Sequence, residues 1–163
     1  MREPNPIPTA RDLMATSLLT FRPDQKILEA MRLLLEHGVS GAPVVEEDGA
    51  LAGILSELDC LRMLASDEFY VEFEEEGAVV ADFMTRGGRT ISPDLGIYGI
   101  SHYFLTTPIR RLPVVQDGRL LGQVSRRDVL RGIDQMSRKR KHRKRYPDYQ
   151  QPSESSGPRR VRG

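Results

Sequence analysis

The chain repeats itself, and the repeat limits its fold more than any other feature. Pro43-Val44-Val45, Asp48-Gly49 and Gly53-Ile54-Leu55-Ser56-Glu57-Leu58-Asp59 return in the same order as Pro113-Val114-Val115, Asp117-Gly118 and Gly122-Gln123-Val124-Ser125-Arg126-Arg127-Asp128. The offset is 70 residues ahead of the turn, where it also relates Asp12 to Asp82, Met14 to Met84, Thr20 to Thr90 and Pro23-Asp24 to Pro93-Asp94, and 69 from the turn onward. Two equivalent units of this size pack on each other and build paired sites at their shared face.

Each copy reads as a short extended segment, a helix, a hairpin and a second helix. In the first, Pro23-Asp24 is placed at the start of a helix carrying Ile27, Leu28, Met31, Leu34 and Leu35 at helical spacing, with Gly38 as its left-handed cap. Pro43–Val45 and Leu51–Leu55 read as strands joined at Asp48-Gly49, and Ser56 opens the next helix. The second copy follows suit, although Gly96 and Gly99 each weaken its first helix by about 1 kcal/mol against alanine. This divides the chain into repeat 1 (8–66), an acidic connector (67–77), repeat 2 (78–136) and a basic tail (137–163) expected to be disordered.

With 163 residues, 39% apolar and 29% charged, the chain has enough material for one core shared by two half-domains. Its net charge of +1 hides a division: ten Lys/Arg against two Asp/Glu from Arg138 onward leave 14 against 21 in residues 1–137. There is no apolar leader and no run near the roughly 18 apolar residues of a membrane span, so the expectation is a cytoplasmic protein with no membrane contact. Cys60 is the only cysteine, which excludes an internal disulfide.

Gly-x-x-Ser-x-x-Asp occurs twice where a strand turns into a helix, a junction that directs free N–H groups and the positive helix end outward. Two readings stay open for it. Ser-x-x-Asp is a capping box in which Ser56 with Asp59, and Ser125 with Asp128, satisfy donors of their own helix, or it is a site for an anion or a sugar hydroxyl.

The paired arrangement over residues 8–135 resembles the tandem CBS domain, the cystathionine-β-synthase-type repeat whose pairs form a Bateman module. The resemblance implies an α+β fold of two β-α-β-β-α repeats packed with pseudo-twofold symmetry, and two clefts for an adenosine-containing ligand such as AMP, ADP, ATP or S-adenosylmethionine. It implies that Asp59 and Asp128 bind ribose hydroxyls, with Ser56 and Ser125 on the ribose or phosphate side. Thr20 and Thr90, with Ala42, Arg111 and Leu112, match stretches lining base and ribose. Arg110 and Arg111 match positions near the phosphates, with Arg126 and Arg127 close by; the first copy has Ser40-Gly41 instead of Arg110-Arg111, so unequal clefts are expected. Surface arginines paired with the acidic connector would look the same in sequence. The resemblance also implies a stand-alone regulatory module, a homodimer through helix faces, and an unidentified protein partner.

His37, His102 and His142 share no ligand spacing with one another or with Cys60, and no nucleophile with a neighbouring base can be assembled. The chain is read as a non-enzyme that requires no cofactor and no metal. Seven Lys/Arg within residues 138–145 could meet nucleic-acid phosphates, but a solvated tail is the better reading, and a structural dimer with empty clefts is the other alternative.

Overall fold

The computed structural model describes residues 7–65 and 77–143. The acidic connector, apart from its last residue, and the tail from 144 lie outside the described residues.

Repeat 1 contains α1 (Ala10–Leu13), α2 (Ile27–His37), the antiparallel hairpin of β1 (Gly41–Val45) and β2 (Leu51–Ser56), then α3 (Glu57–Arg62), continued by a 3-10 turn over Met63–Ala65. Repeat 2 contains α4 (Val80–Phe83), α5 (Ile97–Thr106), the hairpin of β3 (Arg111–Gln116) and β4 (Arg119–Ser125), and α6 (Arg126–Arg143). The strand that should lead each repeat is reduced to one parallel bridge, Phe21 beside Val44 and Ile91 beside Val114. Both hairpins carry a register shift at the same place, Val44/Val45 and Val114/Val115.

The lead-in segments are exchanged between the repeats. Ala15 pairs with Gln123 on the β4 edge, and Thr85 pairs with Ile54 on the β2 edge, each through two backbone hydrogen bonds of 2.9–3.0 Å. The cores are accordingly mixed. Val80 and Met84 join Phe21, Ile27, Leu34, Val44 and Leu55, while Ala10 joins Ile91, Ile97, Ile100, Leu112, Val114 and Val124. Close approach explains the glycine in each junction motif. A Cβ on Gly53 would lie 2.6 Å from the Thr85 carbonyl oxygen, and one on Gly122 would lie 2.7 Å from that of Ala15. Direct contacts between the hairpins complete the pseudo-twofold relation: Leu51 N–H donates to the Gly118 carbonyl, and Leu120 N–H to that of Gly49.

The exchange also moves a helix start. Helix α2 begins at Ile27, after a turn at Pro23–Gln25, because the Pro23 and Gln25 carbonyls accept from Ala81 and Val80 N–H at the start of α4. Gly38 ends α2 in the left-handed region (φ +62), as its position implies. At the other end of the chain, α6 runs to Arg143, seven residues past Met136 and into the segment expected to be disordered. Arginine and lysine are good helix formers, and the Arg138–Asp134 pair at 3.0 Å supports the extension.

Gly53→Ala and Gly122→Ala should each destabilise the protein by about 1–3 kcal/mol, because the added methyl group is driven into backbone of the other repeat. Gly88→Ala is the control, its Cβ meeting only the Ile54 side chain at 3.8 Å. Chemical denaturation of the three variants checks this, and equal midpoints would contradict it.

Candidate functional site at the repeat interface

Both strand-to-helix junctions form capping boxes. At the first, Ser56 N–H donates to Asp59 Oδ2 at 2.9 Å and Asp59 N–H donates to Ser56 Oγ at 3.1 Å. At the second, Ser125 N–H and Ser125 Oγ donate to Asp128 Oδ2 at 2.8 and 2.9 Å, and Asp128 N–H returns to Ser125 Oγ at 3.3 Å. The capping reading of Ser-x-x-Asp is therefore present in both copies, and exposure and the partners of Oδ1 separate them.

Asp59 is 2% exposed, and its Oδ1 accepts from both Arg62 Nη1 and the Thr85 hydroxyl at 3.1 Å. Among the described residues Asp128 Oδ1 accepts from Arg131 alone, at 3.0 Å, and the carboxylate is more open. The difference comes from the exchanged segments, since Ala15 occupies the position equivalent to Thr85 and has no hydroxyl to offer. Among the described residues each carboxylate accepts three hydrogen bonds, so the difference lies in exposure and partners: Asp59 is enclosed by a donor from the opposite repeat, while Asp128 is more open to a ligand hydroxyl.

The other expected site residues are dispersed. Thr20 and Thr90 are exposed on the lead-in segments, whereas Ala42 and Leu112 turn their side chains into the two cores and leave only backbone for a ligand. The register that sets Arg111 opposite Ser125 keeps the four arginines at one end of the β3–β4 hairpin. Arg111 reaches across to donate to the Gly41 carbonyl, its own equivalent in repeat 1, and Arg126 donates to the Ile109 carbonyl at 3.3 Å. Arg110 and Arg127 are exposed.

A cleft of about 190 Å³ opens between the repeats. Gly53 and Ile54 of β2 form one wall, Pro113 and Val115 of β3 another, and Gly87-Gly88-Arg89-Thr90 closes it. It is composite, with repeat 1 supplying a strand and repeat 2 a strand and a loop. Of the residues selected from sequence only Thr90 lines it; Arg89 was missed, although its place just ahead of Thr90-Ile91-Ser92-Pro93 could have pointed to it. Among the described residues, no cluster of three or more His, Cys, Asp or Glu could hold a metal ion. Cys60 is buried, and its thiol pKa is raised first by desolvation and then by Asp59 and Glu57, which keeps it protonated at neutral pH.

The CBS domain family model matches residues 10–66 and 80–135. The chain belongs to the CBS domain family. As a CBS pair it resembles CBSX2 of Arabidopsis thaliana, whose structure in complex with AMP superposes with a TM-score of 0.69 at 30% identity, covering 79% of this chain and 98% of that one. The CBS domain pair of protein MJ0100, solved with 5-methylthioadenosine and S-adenosyl-L-methionine, gives 0.63 at 26% identity over 80% and 99% of the two chains. Protein MJ1225 of Methanocaldococcus jannaschii is 28% identical over 121 residues, 74% of this chain, and the match spans 41% of that relative's length. The expected family and the paired α+β repeats are thus both confirmed.

In this CBS pair Asp59 binds a group from each repeat, whereas Asp128, among the described residues, bonds within its own helix start. Asp59→Ala should therefore cost about 1–3 kcal/mol by removing a buried charged acceptor that serves donors of both repeats, and Asp128→Ala distinctly less. Thermal or urea unfolding measures the order; equal losses would show that the Thr85 bond contributes nothing.

Proposed function

We propose that this CBS pair is a regulatory, non-catalytic sensor that binds an adenosine-containing ligand of the AMP, ADP, ATP or S-adenosylmethionine class in the clefts between its repeats. The observation that carries the reading is the composite cleft: apolar strand walls suit a flat base, and the Ser56-x-x-Asp59 junction stands at the end of β2, one of the strands that form it. A ligand held there touches both repeats, so occupancy fixes their relative position and can be passed to a partner. The AMP complex of CBSX2 and the MJ0100 complex support the ligand class. Asp128, the more open of the two carboxylates, suits a ribose hydroxyl in a charge-assisted bond.

The proposal includes a homodimer and a cytoplasmic location. Leu35, Leu61 and Leu64 are exposed beside a groove of about 590 Å³ between α2 and α3, and Tyr98 and Ile133 beside one of about 540 Å³ between α5 and α6. A second copy brings two matching faces. Among the described residues no helix is long and apolar enough to cross a membrane. Nucleic-acid contact through residues 138–145 rests on charge alone.

Thermal shift with AMP, ADP, ATP and S-adenosylmethionine tests the ligand class, a ligand at 100 times its Kd adding about 2.7 kcal/mol of stability. Asp128→Ala should weaken binding about tenfold, the equivalent of ~1.4 kcal/mol. Absence of a shift with every adenosine compound would overturn the reading. Sedimentation tests the assembly: the wild type should be a dimer and Leu61→Glu with Ile133→Glu a monomer, and an unchanged mass in the double variant would remove these faces from the interface.

A further inference from the structure

The exchanged lead-in loops follow equivalent pairings, Ala15 on Gln123 and Thr85 on Ile54, but carry different chemistry. Thr16-Ser17-Leu18-Leu19 in the first corresponds to Arg86-Gly87-Gly88-Arg89 in the second, at the 70-residue offset. Arg89 lines the cleft formed with Gly53 and Ile54, and its guanidinium carbon stands 4.8 Å from the centroid of the Tyr103 ring. The equivalent of Tyr103 is Leu33, packed against the other core, and the equivalent of Arg89 is Leu19. The cation and the aromatic face that seats it therefore occur together in one repeat and are both absent from the other.

Stacking restrains a guanidinium while leaving its edge N–H groups free to donate in the ring plane, the arrangement that recognises phosphate or carboxylate oxygens. Among the described residues no acidic side chain pairs with Arg89. Gly87 and Gly88 beside it place no side chain in the way, and nothing lies within 4 Å of a Cβ position on Gly87. The facing walls, Leu51, Ala52, Ile54, Pro113 and Val115, carry no charge. Arg111 and Arg126, two cations of repeat 2 selected from the sequence, are instead held by backbone carbonyls.

We infer that Arg89, seated on Tyr103, makes the cleft between β2 and the Arg86–Thr90 loop the anion-selective one of the pair, so that it takes a phosphorylated adenosine in preference to adenosine itself. The inference rests on the adenosine-ligand reading above and adds which cleft discriminates and by which residue. The charge preference belongs to the Asp59 side of the module, while the more open diol acceptor, Asp128, belongs to the other.

Calorimetric titration of the full chain with AMP and with adenosine tests this, using Arg89→Leu, which installs the residue of the other repeat, and Arg111→Ala. Arg89→Leu should weaken AMP binding about tenfold, leave adenosine within about twofold, and flatten the salt dependence of AMP binding. Arg111→Ala should leave the AMP-to-adenosine ratio within about twofold. Melting of the ligand-free variants checks folding, and if Arg89→Leu is destabilised, Arg89→Gln replaces it with the same expected loss. An unchanged ratio in the folded Arg89 variant, with wild type binding both compounds, overturns the role of Arg89 and leaves the ligand-sensor reading standing. Wild type binding neither compound overturns both.

Discussion

The pairing of each lead-in segment with the far repeat's second strand is the constraint on which the rest of the molecule depends. Ala15 on Gln123 and Thr85 on Ile54 lay backbone against backbone at a distance that only Gly122 and Gly53 permit. Once those edges are closed, Val80 and Met84 complete one core and Ala10 completes the other, so neither half has a full set of apolar contacts alone. The same crossing makes the cleft composite. Thr85, Gly87, Gly88 and Arg89 are carried to the strand of repeat 1 by a segment whose first duty is to cap that repeat's sheet.

Stability and recognition consequently share atoms. Ser56 and Asp59 terminate a strand, start a helix and bond the Thr85 hydroxyl from the opposite repeat, while Ser125 and Asp128 do the first two and omit the third. A carboxylate enclosed by donors from both repeats contributes to holding them together, and a more open one bonded within its own helix start is available to something else. The two outcomes arise from one exchange, threonine at 85 against alanine at 15. This is a direct route by which a bound molecule could alter the fit between the halves, because any group that competes for Asp59 also competes with an inter-repeat bond.

Much of the fold was legible because it is local. The Pro-Val-Val strands, the Asp-Gly turns, the Gly38 cap and the Ser-x-x-Asp junctions each follow from short-range chemistry, and all appear where their residues place them. The exchange was not legible, since a sequence period shows that two units are alike without showing which segment pairs with which. From that follow the later start of α2, whose preceding carbonyls are occupied by α4, and the burial of Asp59. The arginines show the same limit. Arg110, Arg111, Arg126 and Arg127 are near one another in sequence, yet Arg111 is drawn to Gly41 and the cation lining the cleft is Arg89, selected by its position beside Tyr103. The extension of α6 to Arg143 was hidden for a different reason, because an all-basic helix end has no apolar periodicity to reveal it.

The crossed lead-ins also fix what one repeat could be by itself. A single copy would hold its own first segment outward, with an uncovered sheet edge, and the partner that fits both is another copy of the same repeat. Two such copies satisfy each other by trading segments, which makes the present chain the tethered form of a domain-swapped dimer. Tethering has a consequence that no symmetric dimer can reach. Once both copies lie on one chain, a substitution falls on one side only, so Leu19 and Leu33 can stand in one half while Arg89 and Tyr103 stand in the other.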